Sequence, residues 1–292
     1  MSGMNSINTN VGAMIALQSL EKTDSGMAAT QKQISTGYRV ADAVDDGAAY
    51  AVAQRVRATV GALTSANQQL GNVQGLLSVT SSSLNDVSNT LNSMNQVMLK
   101  LADGNTQGSQ RSQYSAQYAS LVAQVKSYFN GASYNGKSLI ANVGGSPSGV
   151  TMGETAVTQD DMGTTYGIAT YGGNTMYTAL SGITTGSITS GSVYISSTTA
   201  QSFLTGTFAT QLNNIGNEMN YYGSATNYLT NQVSYNSDKI DALNTGLGAL
   251  VDADLAKESA QLQALQVQQQ LGTQALTLAN QAPSALLKLF GG

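Results

Sequence analysis

The chain has no cysteine, no histidine and no tryptophan. Without cysteine there is no disulfide framework, no thiolate nucleophile and no thiolate-bound metal, so bridges say nothing about the redox compartment. Without histidine the commonest general base and the commonest metal ligand are missing, which leaves an enzyme only carboxylate, lysine or tyrosine chemistry. Charge is scarce as well, at 10% of residues, against roughly a quarter in ordinary globular proteins. A net charge of -4, with twelve basic residues scattered along the chain, provides no basic patch to neutralise phosphates and excludes nucleic acid as the expected partner. No run of about eighteen apolar residues occurs, so no membrane insertion is expected. The polar start, Met1 to Val11, lacks the charged and apolar regions of a secretory signal peptide. Export would need a pathway that reads something else.

The 292 residues, 41% of them hydrophobic, suffice to bury a core. They fall into three compositional zones. From about Ile7 to Lys126 the chain is rich in Ala, Gln, Ser, Leu and Met and free of proline, and its apolar residues recur at helical spacing. One stripe reads Ala13, Leu17, Leu20, Met27 and Ile34. Another reads Leu63, Leu70, Val73, Leu77, Leu84, Val87, Leu91 and Met94. Both spacings describe helix faces that pack on other helices. From about Ala141 to Leu204 the composition turns to Gly, Thr, Ser and Tyr, which predicts turns and short strands such as Gly191 to Ser197, with Pro147 in a loop. From about Thr210 helical spacing resumes and runs to Leu278, with Pro283 beyond it. Two partial stripes share this last stretch: Leu255, Leu262, Leu265, Leu276 and Ala279 on one face, Val267, Leu271, Ala275, Leu278 and Ala282 on the other. Two stripes on one helix imply two sets of neighbours, and one partner helix covers only one of them.

Candidate chemistry is thin. The acidic groups Asp45-Asp46, Asp160-Asp161 and Asp252, Asp254, Glu258 have no companion nucleophile or base at useful spacing. Asp252-Ala253-Asp254 lacks the glycine and third oxygen ligand of an EF-hand loop. Their expected role is structural, as acidic residues that offset helix dipoles in first turns. No phosphate-binding glycine loop is present. The Asn130-Gly131 and Asn135-Gly136 pairs predict tight turns with positive φ where helix gives way to strands.

Several segments together carry a specific resemblance. Ile7-Asn8-Thr9-Asn10, the run Ile34 to Val40, and Ala43 with Asp45-Asp46-Gly47-Ala48-Ala49 are similar to the N-terminal signature of bacterial flagellins. There a helix ends at glycine, an arginine and an apolar residue follow, and an acidic turn opens the next helix. The family's usual order puts glycine last in that turn, whereas Gly47 comes first here. At the other end Val251 to Glu258, Gln268-Gln269-Gln270, Leu278 to Pro283 and Leu286 to Phe290 resemble the flagellin C-terminal signature. The resemblance implies a mainly α fold, with long antiparallel, coiled-coil-like helices from both termini forming a rod and a small β-rich outer region from the middle of the chain. Segments 1–45 and 247–292 would form an inner helix pair lining a filament channel, 46–140 and 205–246 a rod-like middle domain, and 141–204 a short variable surface. It implies a non-enzymatic subunit without cofactor or metal, exported unfolded by the flagellar type III apparatus with a chaperone and secreted into the extracellular filament. Its partners would be copies of itself and the hook-associated junction and cap proteins; the alternative reading is a hook-filament junction protein. Residues expected to carry polymerisation and packing are Ile7, Leu17, Leu20, Met27, Ile34, Arg39, Asp45, Asp46 and Arg55 near the start. Near the end they are Asp252, Asp254, Glu258, Leu262, Leu265, Leu271, Leu278, Asn280, Leu286 and Leu289.

Overall fold

The computed structural model describes residues 9–140, 143, 151–185, 188–189 and 192–290, with the backbone alone for 151–152, 185, 188–189, 192 and 282–290. Its elements are α1 (Val11–Thr36), α2 (Gly47–Ala102), α3 (Gly108–Gly131), β1 (Lys137–Ser138), β2 (Thr151–Met152), β3 (Thr155–Thr158), β4 (Thr165–Ile168), α4 (Gly173–Thr185), β5 (Ile188–Thr189), β6 (Ser192–Val193), α5 (Ser197–Phe203), α6 (Ala209–Val251) and α7 (Leu255–Phe290). Long helices from both ends and short strands in the middle make this a mainly α fold. The chain divides into two compact units, residues 1–59 with 241–292, and residues 60–240.

The second unit is organised by a seven-residue repeat along α2. Leu63, Leu70, Leu77, Leu84, Leu91 and Met98 are all completely buried, and the interleaved Ala66, Val73, Thr80, Val87, Met94 and Leu101 are buried beside them. Side chains spaced three and four residues apart stay on one face of a helix and keep meeting the same neighbours. Those neighbours include Tyr118, Val122, Val125 and Phe129 of α3 and Ile215, Tyr222, Ala225 and Leu229 of α6. Thr80 is tolerated in the stripe because its hydroxyl donates to Leu76 O at 2.8 Å, leaving a methyl group for the core.

The middle zone contains the predicted strands, paired as β1 with β2 in parallel and as antiparallel β3–β4 and β5–β6. Asn135 (φ 49°) and Gly136 (φ 74°) turn the chain between Tyr134 and Lys137, which exchange both backbone hydrogen bonds at 2.9 Å. Two successive positive φ values describe the turn that an Asn-Gly pair favours. Asn130-Gly131, expected to turn in the same way, instead form the last residues of α3 without a positive φ, because the helix carries on past Phe129, which is buried in the core. Val193 and Ile195 point inward while Tyr194 stays exposed, in the predicted alternation. Gly191 and the Pro147 loop lie outside the described residues.

The same zone also departs from its sequence reading. Residues 173–185 form a helix, where turns and strands were expected. Met176, Leu180 and Ile183 are buried at steps of four and three, and this apolar spacing outweighs the glycine and threonine content that disfavours a helix. The last helical stretch also begins before Thr210: α5 starts after Ser196, whose hydroxyl caps Thr199 N, and continues through a π-helical turn, Leu204–Phe208, into α6. At the far end α7 runs beyond Leu278 to Phe290.

Buried polar groups tie these layers together. Tyr222 OH lies 3.0 Å from the carbonyl oxygens of both Leu139 and Ala169, and Tyr118 OH donates to Leu180 O at 3.1 Å. The guanidinium of Arg111, 2% exposed, donates to the carbonyls of Leu101, Asp103, Thr106 and Ile195. Burial pushes the Tyr118 and Tyr222 hydroxyls well above the usual tyrosine range. It also raises Tyr171 to about 12, with a smaller contribution from Glu218.

Replacing Tyr222 by Phe keeps the ring and removes the hydroxyl from between the two carbonyls; Leu139 O keeps its bond from Tyr171 N at 2.7 Å, and Ala169 O loses the hydroxyl. The expected cost is about 2 kcal/mol, read as a lower urea midpoint by circular dichroism. The raised tyrosines set a second expectation. Below the ordinary tyrosine value of about 10 both folded and unfolded chains are protonated. Above it the unfolded chain releases protons that the folded chain keeps, so stability falls as pH rises from 10 towards 12. The urea midpoint should drop across that window, and drop less in Tyr171→Phe.

Candidate assembly surface

The first unit brings the two ends of the chain together at one crossing. Helix α1 starts at Asn10, whose Oδ1 accepts Ala13 N at 3.0 Å and whose Nδ2 donates to Ala279 O at 2.8 Å. It stops at Gly37, which has φ 74° and donates its N–H to Gln33 O. That left-handed cap admits glycine freely and most side chains only with strain. The chain then runs antiparallel to the α6–α7 turn. Arg39 N and Val40 N donate to Val251 O at 2.7 and 3.3 Å, and Ala253 N donates to Gly37 O at 2.9 Å. Val40, Ala49, Ala53 and Val251 form a small buried cluster at this crossing, and the Arg39 guanidinium donates to Leu250 O. Arg57 lies over the Tyr38 ring at 5.9 Å.

The predicted acidic pair is split between two tasks. Asp45 faces backwards: its carboxylate accepts Ala41 N at 2.9 Å and takes Lys32 Nζ at 2.8 Å. Asp46 faces forwards and caps α2, accepting Ala48 N and Ala49 N at 3.0 Å each. Sequence reading missed Asp42, which meets Lys32 Nζ at 2.6 Å and accepts Val44 N at 2.9 Å. Lys32 holds the Asp42 and Asp45 carboxyls below the usual carboxylate range, and the two carboxylates, Asp42 foremost, raise Lys32. Asp254 caps α7 in the same way as Asp46, accepting Ala256 N and Lys257 N at 3.0 and 3.1 Å. Asp252 sits in the bridge opposite Tyr38.

Beyond the crossing α1 and α7 pack antiparallel. A methyl added at Gly26 would stand 3.6 Å from Leu265 Cδ2, and one at Gly272 3.3 Å from Leu20 Cδ1. Asp24 accepts Gln269 Nε2 at 2.7 Å. The covered positions on α1 include Ala13, Ala16, Leu20, Thr23, Met27, Thr30 and Ile34, with Gly26, Lys32 and Gln33 half-buried beside them. On α7 they are Glu258, Leu262, Leu265, Gln269, Gly272, Leu276 and Ala279. Both sets step by three and four, the spacing of a two-helix seam. Its small residues let the backbones approach closely.

A second apolar stripe is left outside this seam. Val11, Met14, Ile15 and Leu17 of α1 are exposed, Met14 by 65%. On α7 Val267, Leu271 and Leu278 are exposed, the last by 71%. Leu17 falls here because the seam steps from Ala13 to Ala16, three residues on. Leu255 and Asn280 are exposed as well. Nor does charge protect this face: no charged residue occurs before Glu21, and none between Glu258 and Lys288. Arg55 is exposed on α2. Ile7 lies outside the described residues, as do the side chains of Leu286 and Leu289.

Comparison with known proteins agrees with this architecture. Residues 7–144 match the bacterial flagellin N-terminal helical region and residues 205–290 the bacterial flagellin C-terminal helical region. The chain is 33% identical to flagellin FljK of Caulobacter vibrioides over 287 residues, 98% of this chain and 99% of that one. It is 29% identical to a flagellin of Brucella melitensis over 299 residues, 99% of this chain and all of that one. Among solved structures, a putative flagellar hook-associated protein from Vibrio parahaemolyticus shares the fold, with a TM-score of 0.56 and 17% identity across 71% of this chain and all of that one. Matches at both ends, joined by near full-length similarity, place the chain in the bacterial flagellin family.

Proposed function

We propose that the chain is a structural subunit that polymerises into the flagellar filament, exported unfolded through the flagellar type III apparatus with a chaperone's help. The observation that carries this reading is the exposed, charge-free apolar stripe of α7 beside an already occupied seam. An uncovered stripe of this length on a single chain is a binding face, and one finished in Gln, Ser and Thr packs against protein without desolvating ions. Contacts between different faces of identical copies do not close on themselves, and they generate open helical filaments.

In this reading segments 1–45 and 247–292 form the inner helix pair around the filament channel. Segments 46–140 and 205–246 form the rod that contacts neighbouring copies, and 141–204 faces outwards. The residues expected to carry assembly then divide by position. Leu20, Met27, Ile34, Leu262 and Leu265 hold the pair together within a copy. Leu17, Leu271 and Leu278 meet other copies. Arg39, Asp45, Asp46, Asp252 and Asp254 shape the crossing that orients both. The junction and cap proteins at the filament ends would meet the same stripe. The remaining chemistry favours no catalytic role: the acidic groups at the crossing cap helices or pair with Lys32.

Leu271→Ser combined with Leu278→Ser should leave the urea midpoint of the monomer unchanged and abolish elongation of filament seeds, measured by sedimentation and electron microscopy. Leu265→Ser, within the seam, should weaken both. Wild-type chain that fails to elongate seeds would instead behave as a junction protein.

A further inference from the structure

Glu258 opens the seam on α7, and among the described residues its surroundings are unusual. Its side chain is 9% exposed and its Oε2 is closed off from water, yet no donor meets that oxygen. A carboxylate withdrawn from water without a partner is costly, and it remains in a fold only where something completes it.

Among the described side chains, the cations of the same unit do not complete it. Lys32 is held by Asp42 and Asp45, the Arg39 guanidinium is on Leu250 O, and Arg57 lies over Tyr38. Pairing of Gly26 with Leu265 and of Asp24 with Gln269 sets Glu258 level with the last turn of α1. Lys22 is therefore roughly 15 Å away along the helix, at about 1.5 Å per residue. Lys257 is exposed and projects about 100° round α7 from Glu258. Arg55 is exposed and without a partner, and it faces away: Ala53, two residues earlier, is fully buried in the cluster with Val251. Two residues correspond to about 200° of helix rotation.

A buried acid lacking a base and an outward base lacking an acid are complementary faces of one chain that cannot meet within it. We propose that Arg55 of a second copy of this chain completes Glu258, an inference that rests on the reading of the protein as a filament subunit. The remaining exposure of Glu258 is the route in, and the planar guanidinium, unlike an ammonium, can donate to both carboxylate oxygens at once. The pair adds a directional contact beside the apolar stripe, setting which face of one copy meets which face of the next.

The test compares Glu258→Gln, Arg55→Gln and the double variant of the full chain in two assays, elongation of wild-type filament seeds and urea unfolding of the monomer. Each single variant should raise the critical concentration for elongation about tenfold or more, and the double variant should be no worse than the weaker single. The monomer's urea midpoint should stay level or rise in Glu258→Gln, because the amide removes an unpaired buried ion. Additive losses in the double variant would overturn the pair, as would a lower monomer midpoint with unchanged elongation. Coupling of Glu258→Gln to Lys22→Gln in place of Arg55→Gln would overturn the choice of Arg55. Wild-type chain that elongates no seeds would overturn the filament reading itself, and this contact with it.

Discussion

Three backbone hydrogen bonds between residues 37–40 and 251–253 govern the first unit. They fasten the turn that ends α1 to the turn that begins α7, two points more than two hundred residues apart in sequence. Once those turns are joined, α1 and α7 leave the crossing side by side and in opposite directions, and their register follows. The rest of the local sequence serves the crossing. Gly37 reverses the chain, Lys32 with Asp42 and Asp45 stiffens the turn that follows, and Asp46 and Asp254 start the next helices by accepting their free N–H groups. This gives Asp45, Asp46 and Asp254 of the terminal signatures a structural purpose.

Charge and apolar surface are distributed to match. Near the crossing Lys32 pairs with Asp42 and Asp45, while α1 has no charged residue before Glu21 and α7 none between Glu258 and Lys288. Hydroxyl groups along the helices donate to carbonyls one turn back, as Thr23 does to Ser19 and Thr277 to Thr273. A threonine satisfied in this way offers its methyl group to whatever packs against it. The long helices can therefore be covered by protein with little polar surface left wanting.

The sequence made much of this legible, and its limits have physical causes. All eight residues of the predicted α2 stripe are buried, because a seven-residue repeat sustained over many turns has few other solutions. The positive-φ turn was read correctly at Asn135-Gly136 and wrongly at Asn130-Gly131, which end α3: the dipeptide permits that backbone, and the packing of the residues before it decides whether it is adopted. Helix α4 was missed because Met176, Leu180 and Ile183 span only two turns within a background of Gly and Thr. At the crossing, the terminal signatures marked the right segments, but their pairing is long-range and backbone-mediated, so side-chain identity does not encode it. Lys32 and Asp42 escaped notice for another reason: their ion pair closes only because the chain reverses between them at Gly37. The two stripes of α7 were visible as two, but nothing in their spacing told which would meet α1. Gly272 bears on that choice, because a methyl there would stand 3.3 Å from Leu20 Cδ1, while one at Gly26 would meet Leu265 at an ordinary 3.6 Å.

The uncharged length of α7 between Glu258 and Lys288 also determines which solution conditions this surface responds to. Coulombic contacts fade as the ionic atmosphere thickens, but a neutral surface has little to screen, so ordinary changes in salinity pass it by. Its adhesion comes from releasing hydration water, a driving force that weakens on cooling and strengthens when excluded solutes such as sulfate are added. A polymer held along this stripe would endure a swim from fresh water to brine more readily than a plunge into the cold.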